Sequence, residues 1–404
     1  MTLAQARALD AADPLAPFRD RFALPSGIIY LDGNSLGPLP RATPPALADL
    51  AERQWGERLI RSWNEGWIDA PARLGAKLAP LLGAGSDEVI VGDSTSANLF
   101  KLLVAALRHD PSRTQILSET GNFPTDLHIA DGAAACVPGA RLRAVPRAEV
   151  QAALGPHTAV LMLTHVHYKT AERWDMAALT AAAHAAGALV LWDLSHSTGA
   201  VPLDLAAANV DLAVGCTYKY LNGGPGVPAF LYVAERWQER LLNPLSGWMG
   251  HAEPFAFGDD YRPASGMKRW LAGTPPMLAM AALEAGLDLW ADVPLPAVWA
   301  KSAALFDILA AAGDRLGLPC VTPRDPAQRG SHISFRHPHA YALTQALIAR
   351  GVIGDFRAPD ILRFGLTPLY LSHEDVWRAG EILGEVLAGQ PWQDPRYTTR
   401  LAVT

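Results

Sequence analysis

Between Leu74 and about Val233 the chain alternates short apolar runs with stretches of helical spacing. The runs Glu88–Val91, Gln115–Ser118, Ala159–Thr164, Ala188–Asp193, Leu212–Cys216 and Ala229–Val233 are too short for helices and almost continuously apolar, as strands buried on both faces are. Leu99–Leu107 and the Ala-rich Met176–Ala186 have helical composition, and the second ends at Gly187, a natural left-handed stop. Such strand–helix–strand repetition predicts an α/β fold with a mostly parallel sheet flanked by helices. Beyond Asp292-Val-Pro-Leu-Pro the order becomes helix, strand (His332–Arg336), helix (Ala340–Arg350), strand and terminal helix, a smaller α+β unit. Residues 1–45, broken by Pro14, Pro17, Pro25, Pro38, Pro40, Pro44 and Pro45, read as an irregular arm around a short strand, Ile28–Leu31. Ala46–Asn64 reads as a helix carrying Trp55, Leu59 and Trp63. The expected division is therefore an arm and helix over 1–64, a large domain over 65–290 and a small C-terminal domain over 291–404.

Composition narrows the partners. Half of the 404 residues are hydrophobic, 18% are charged, and the net charge of −6 forms no basic stripe, which argues against nucleic acid and anionic membrane. No apolar run approaches the roughly 20 residues of a membrane span, and the first residues lack a secretory pattern. Cys136, Cys216 and Cys320 show no CxxC spacing, so neither a disulfide framework nor a metal site is expected, and a reducing cytoplasm is the default.

Four features fall where a doubly wound sheet places its ligand, just beyond strand ends. Asp193 closes the run ALVLW and precedes Leu194-Ser195-His196. A charge there needs a partner, either a following helix that it caps or a protonated ring nitrogen that it keeps protonated. Lys219 stands between Tyr218 and Tyr220, ahead of Leu221-Asn222-Gly223-Gly224-Pro225-Gly226, a setting that suits a mobile amine or an ordinary loop lysine. Asp193 one strand earlier favours the first. Ser94, Thr95 and Ser96 open the helix after EVIV; an ordinary N-cap explains one hydroxyl there, and three in a row favour an anion cradle for a cofactor phosphate. Asn122-Phe123-Pro124-Thr125-Asp126 follows QILS and offers an aromatic ring either to a pyridine or to the core. Together they describe a pyridoxal 5′-phosphate (PLP) site anchored on Lys219.

The ordered set NFPTD, WDLSH, TYKYLNGGPG and GWMGH, running from YLDGNSLGPLP at Tyr30–Pro40 to RFGLTPLY at Arg363–Tyr370, resembles the kynureninases, fold-type I PLP enzymes similar to class V aminotransferases. The resemblance implies a homodimer that hydrolyses L-kynurenine to anthranilate and L-alanine in tryptophan degradation. It implies that Lys219 is the Schiff-base lysine and the Cα base, Asp193 the ring-nitrogen partner, His196 a neighbour of the ring oxygen and Phe123 the stacking ring. Pro124, Thr125, Asp126 and Thr164 would line the cofactor, with Ser94, Thr95 and Tyr218 at the phosphate. Tyr218 is either a proton carrier or a phosphate ligand. Trp248 and Thr274 would reach across the dimer interface, Arg363 would clamp the substrate α-carboxylate with Arg357 as the competing choice, and Asn34 and Ser35 would help close the substrate pocket. Trp63, Trp67, His251 and Thr274 are candidates for the aryl pocket, and Thr274 favours kynurenine over 3-hydroxykynurenine. No metal is implied.

One segment departs from the family pattern. Ala171 stands where glycine is usual, and Glu172-Arg173-Trp174 is unfamiliar. Rival readings are a class V aminotransferase, a cysteine desulfurase or selenocysteine lyase, and a PLP-binding protein without turnover. A desulfurase would want His before the lysine, where Tyr218 stands, and a mobile nucleophilic cysteine, whereas Cys320 sits in an apolar, strand-like run.

Overall fold

A computed structural model describes residues 1–401. Seven strands form the main sheet in the spatial order Val89–Val91, Phe230–Val233, Leu212–Gly215, Leu189–Asp193, Thr158–Thr164, Gln115–Glu119, Arg141–Val145. Phe230–Val233 runs antiparallel to both neighbours and every other pair is parallel. Side chains alternate between two separate cores. Val89, Val91, Leu161, Leu163, Val190 and Trp192 face one, and Ile90, Val160, Met162, Leu189 and Leu191 face the other. Helices cover both faces, so the central strands carry no polar side, as their apolar runs foretold.

The six expected strands are present. The seventh, Arg141–Val145, was missed because an edge strand needs little burial, and its Arg-Leu-Arg-Ala-Val reads as polar. A second, antiparallel sheet has the order Asp355–Arg357, Ile361–Gly365, His332–Arg336. Ile29–Tyr30 pairs in parallel with Val352–Ile353 and so ties the arm to this C-terminal region.

Two expectations need correction. The arm opens with a helix, Leu3–Ala11, capped by a reciprocal Thr2–Gln5 box. It docks on the helix His373–Ala388, whose first amides donate to Asp10. The helix expected over Ala46–Asn64 is continuous only as Thr43–Asp49, then widens through Leu50–Arg58 and breaks at Leu59, where φ is +56°. Its apolar stripe finds no core in the single chain, leaving Trp55 and Leu59 more than half exposed, and helical order follows packing more than spacing. Leu295–Arg315 is long and apolar enough to cross a membrane by length and composition. Here it packs against His373–Ala388, and its Lys301 forms a buried ion pair with Asp13 at 2.6 Å.

Candidate active site

The parallel strands deliver their terminal residues to one edge. Thr164 and Asp193 are register partners at the ends of adjacent strands, and the loop after Gln115–Glu119 brings Asn122 and Asp126 beside them. Asp193 is buried and its Oδ1 accepts the Ser195 amide at 2.8 Å, so part of its charge is met by the local turn. The Thr164 hydroxyl lies within hydrogen-bond distance of both Asn122 Oδ1 and Asp126 Oδ2. Burial, and then the negative charge of Asp193, push the Asp126 carboxyl well above the ordinary range, so Asp126 keeps its proton.

Lys219 lies in the turn after Leu212–Gly215, pinned by Asn222 N–H to Lys219 O and Gly223 N–H to Thr217 O, each 3.0 Å. Its Nζ is 2.9 Å from His196 Nε2. Burial, and then the lysine charge, hold His196 well below its ordinary pKa, so the ring is neutral and Nε2 accepts from the amine. Tyr218 is half-buried with Lys219 Nζ 5.9 Å from its ring centre. The neighbouring Cys216 sulfur, and then burial, raise its phenol above the ordinary value, which keeps it a proton donor.

Ser94 caps the helix Thr95–His109 by accepting the Ala97 amide at 3.2 Å, and Thr95 opens the first turn. Asp93, at φ +51°, would repel an anion there, but it is paired with the fully buried Lys101, which also donates to Trp270 O at 2.8 Å. Pro124 starts the helix Pro124–Ala135, with Thr125 half-buried behind it. Phe123 is 41% exposed and meets Tyr168 edge-to-face at 5.2 Å. An amine, a buried carboxylate, a phenol and a hydroxyl-rich helix start share one strand-end edge, with Phe123 partly open. That donor set fits a phosphorylated pyridine aldehyde. Among its buried atoms, His196 Nδ1 has no partner in the protein, as a polar group turned towards a ligand would.

The arm and the second sheet close the other side. Gly37 N–H donates to Tyr218 O at 2.7 Å, and Ser35 Oγ donates to Asp355 Oδ2 at 2.8 Å. Arg363 is 1% exposed, which rules out a surface arginine. It forms a two-pronged pair with Asp355 and also donates to Tyr168 O and Ser35 Oγ. Arg357 shares Asp355 at 2.7 Å and is more open. Burial opposes the charge on Asp355, but Arg363 and Arg357 together hold its pKa below the carboxylate range. Burial, and then Asp355, push Asp32 up to about 7. Asn34 is fully buried with both amide atoms unpartnered.

Sequence reasoning missed Asp32, Lys101 and Asp355, whose roles depend on sheet register and turn geometry that no local apolar run records. Other predicted residues lie elsewhere in the single chain. Trp63 and Trp67 meet edge-to-face at 5.7 Å, His251 packs on Tyr261, and Trp248 and Thr274 are exposed. Among the described residues, no hydrogen bond or ring contact ties any of these five to Lys219. Ala171 is buried at φ +60°, a left-handed backbone that favours glycine. In the same loop, the Arg147 guanidinium covers the Trp174 ring at 3.5 Å and pairs with Glu119 and Glu172.

Residues 298–383 match the model of the kynureninase C-terminal domain. Across its whole length the chain is 52% identical to all of the protein named kynureninase from Burkholderia mallei strain SAVP1. It is 50% identical to kynureninase of Pseudomonas fluorescens over 98% of both chains. Among solved structures, the cysteine desulfurase of Thermococcus onnurineus NA1 superposes with a TM-score of 0.79 at 18% identity, covering 92% of this chain and 98% of that one. A C-DES mutant with glycine covalently linked to its PLP cofactor gives 0.80 at 20% identity, covering 91% and 99%. Those two likenesses establish the fold, an α/β fold of the PLP-enzyme type.

Proposed function

Because the chain belongs to the kynureninase family, we propose that this site hydrolyses the Cβ–Cγ bond of L-kynurenine, with PLP held on Lys219, to give anthranilate and L-alanine. The observation that carries it is the Lys219 amine 2.9 Å from the buried His196, in a chain that matches kynureninases from end to end. Bound PLP supplies an electron sink for charge that develops at the substrate Cα. Asp193 holds the proton on the ring nitrogen. Lys219 takes the proton from Cα, and neutral His196 keeps the amine aimed from 2.9 Å. Arg363, stiffened by Asp355, receives the α-carboxylate, and Ser35 holds both partners. Tyr218, a phenol throughout the neutral range, is placed to move protons where water adds to the substrate carbonyl. The same phenol is within the cofactor's setting as a phosphate ligand.

Trp248 and Thr274 act from a partner subunit in this reading. Trp248, Phe255 and Phe257 form a contiguous exposed aromatic run, the kind of patch that association covers. Thr274 favours unhydroxylated kynurenine over its 3-hydroxy form. The three free cysteines agree with a cytoplasmic enzyme. A cysteine desulfurase reading gains nothing from Cys320, whose sulfur bonds to Thr322 O and whose thiol burial pushes up.

Purified protein supplied with PLP and L-kynurenine should release fluorescent anthranilate and alanine in equal amounts. Lys219→Ala should abolish both turnover and the cofactor absorbance. Absence of anthranilate from the wild type, or full activity in the variant, overturns the reading. Light scattering that finds a monomer removes Trp248 and Thr274 from the site.

A further inference from the structure

His332 opens the strand His332–Arg336 and is fully buried, yet neither ring nitrogen has a hydrogen-bond partner in the protein. Its register partner is Gly365, and cross-strand partners share a sheet face. Alternation puts Arg363 on that same face, and register adds Asp355 and Ser334. Over Gly365, where a side chain would stand, lies Asn34. A Cβ on Gly365 would meet Asn34 Oδ1 at 2.2 Å. On its other side the His332 ring centre is 5.5 Å from that of His196, the contact of Lys219. His332 and Asn34, both unpartnered, thus lie on the face that carries Arg363, and His332 also neighbours His196.

A buried donor without an acceptor is costly, and a fold that keeps several of them side by side points to a polar ligand. Arg363 gives both Nε and Nη2 to Asp355 and further bonds to Ser35 and Tyr168 O, so much of its fork is already used. A carboxylate has about four lone-pair sites and needs other donors. We propose that His332 gives a ring N–H to the substrate α-carboxylate beside Arg363, with the Asn34 amide as the second neutral donor. Burial, and then Arg363, keep the His332 ring neutral, so it offers one donor and one acceptor without adding charge.

The proposal rests on the kynurenine reading and is tested apart from it. In the holoenzyme, His332→Phe keeps a planar ring and removes both nitrogens, whereas His332→Gln restores an N–H. Binding of L-alanine, which carries the same carboxylate, is measured by calorimetry beside KM and kcat for L-kynurenine. His332→Phe should weaken alanine binding and raise KM about tenfold or more, with kcat within about threefold. His332→Gln should stay within about threefold of wild type on both. Alanine affinity and KM unchanged in His332→Phe overturn the proposal. So does a His332→Gln variant that melts like wild type yet binds alanine more than tenfold worse. If the phenylalanine variant does not fold, His332→Leu, which also removes both nitrogens, is measured in its place by the same limits. Wild type that binds alanine but releases no anthranilate overturns the kynurenine reading and leaves the carboxylate site standing.

Discussion

Gly37→Ala isolates the closure of the arm on the lysine turn. A Cβ at position 37 would stand 2.4 Å from Lys219 O, 2.5 Å from Asn222 Oδ1 and 2.8 Å from Asn222 Cα. Carbon–oxygen contacts settle near 3.3 Å, so either the arm or the turn must move by about 1 Å. The turn cannot yield freely, because Asn222 and Gly223 amides already tie it to Lys219 O and Thr217 O. The same shift stretches the Gly37 N–H bond to Tyr218 O. Misplacement of about 1 Å in a catalytic constellation costs on the order of 100-fold in rate, and forcing a methyl into packed backbone costs about 1–3 kcal/mol. The expected result is kcat/KM for L-kynurenine lowered about 100-fold, with a lower melting temperature. Gly132→Ala is the control, since a Cβ there meets nothing within 4 Å. Kinetics of Gly37→Ala within threefold of wild type would refute the view that arm contact positions Lys219.

Asp193→Asn should retain part of the cofactor binding while losing at least about 100-fold in kcat, and turnover near wild type would remove the ring-nitrogen role. Asp32→Asn tests the raised carboxyl. Its folded pKa, about 7, lies above the unfolded value, so its contribution to stability is full below about pH 4 and is lost as pH rises through 7. The variant should therefore gain stability relative to wild type from pH 5 to pH 8 in denaturant titrations, and a constant difference across that range would contradict the sign. Ala171→Gly should leave stability within about 1 kcal/mol, because relief of the left-handed backbone offsets the lost buried methyl. Ala171→Val should cost more than about 2 kcal/mol, a contrast that melting curves resolve.

Lys219, Asp193 and Ser94 could be read from the chain because each sits at a strand end, and strand ends are written in local apolar runs. The same locality made the six buried strands legible and hid Arg141–Val145, whose single sheltered side leaves no such run. Residues whose meaning depends on register were out of reach. Asp355 looks like a surface acid in GDFRAPD until the second sheet sets it opposite Arg363, and His332 acquires its neighbours only when Gly365 faces it. The arm motif containing Gly37 stood out as a pattern, but its need for glycine appears only when the arm meets the lysine turn. Trp55 and Leu59 misled because helical spacing says which residues could share a face, not whether anything in the chain covers that face.

The contact between Ser35 and Arg363 joins residues 328 positions apart in sequence. Long closures of this kind form late during folding, and synthesis proceeds from the N-terminus. At about 5–20 residues per second, Lys219 leaves the ribosome roughly 7–30 seconds before Arg363 does. During that interval the growing chain can own the lysine and its sheet without a seat for the substrate carboxylate. The order of synthesis thus releases the Lys219 sheet before the contact between Ser35 and Arg363 can form.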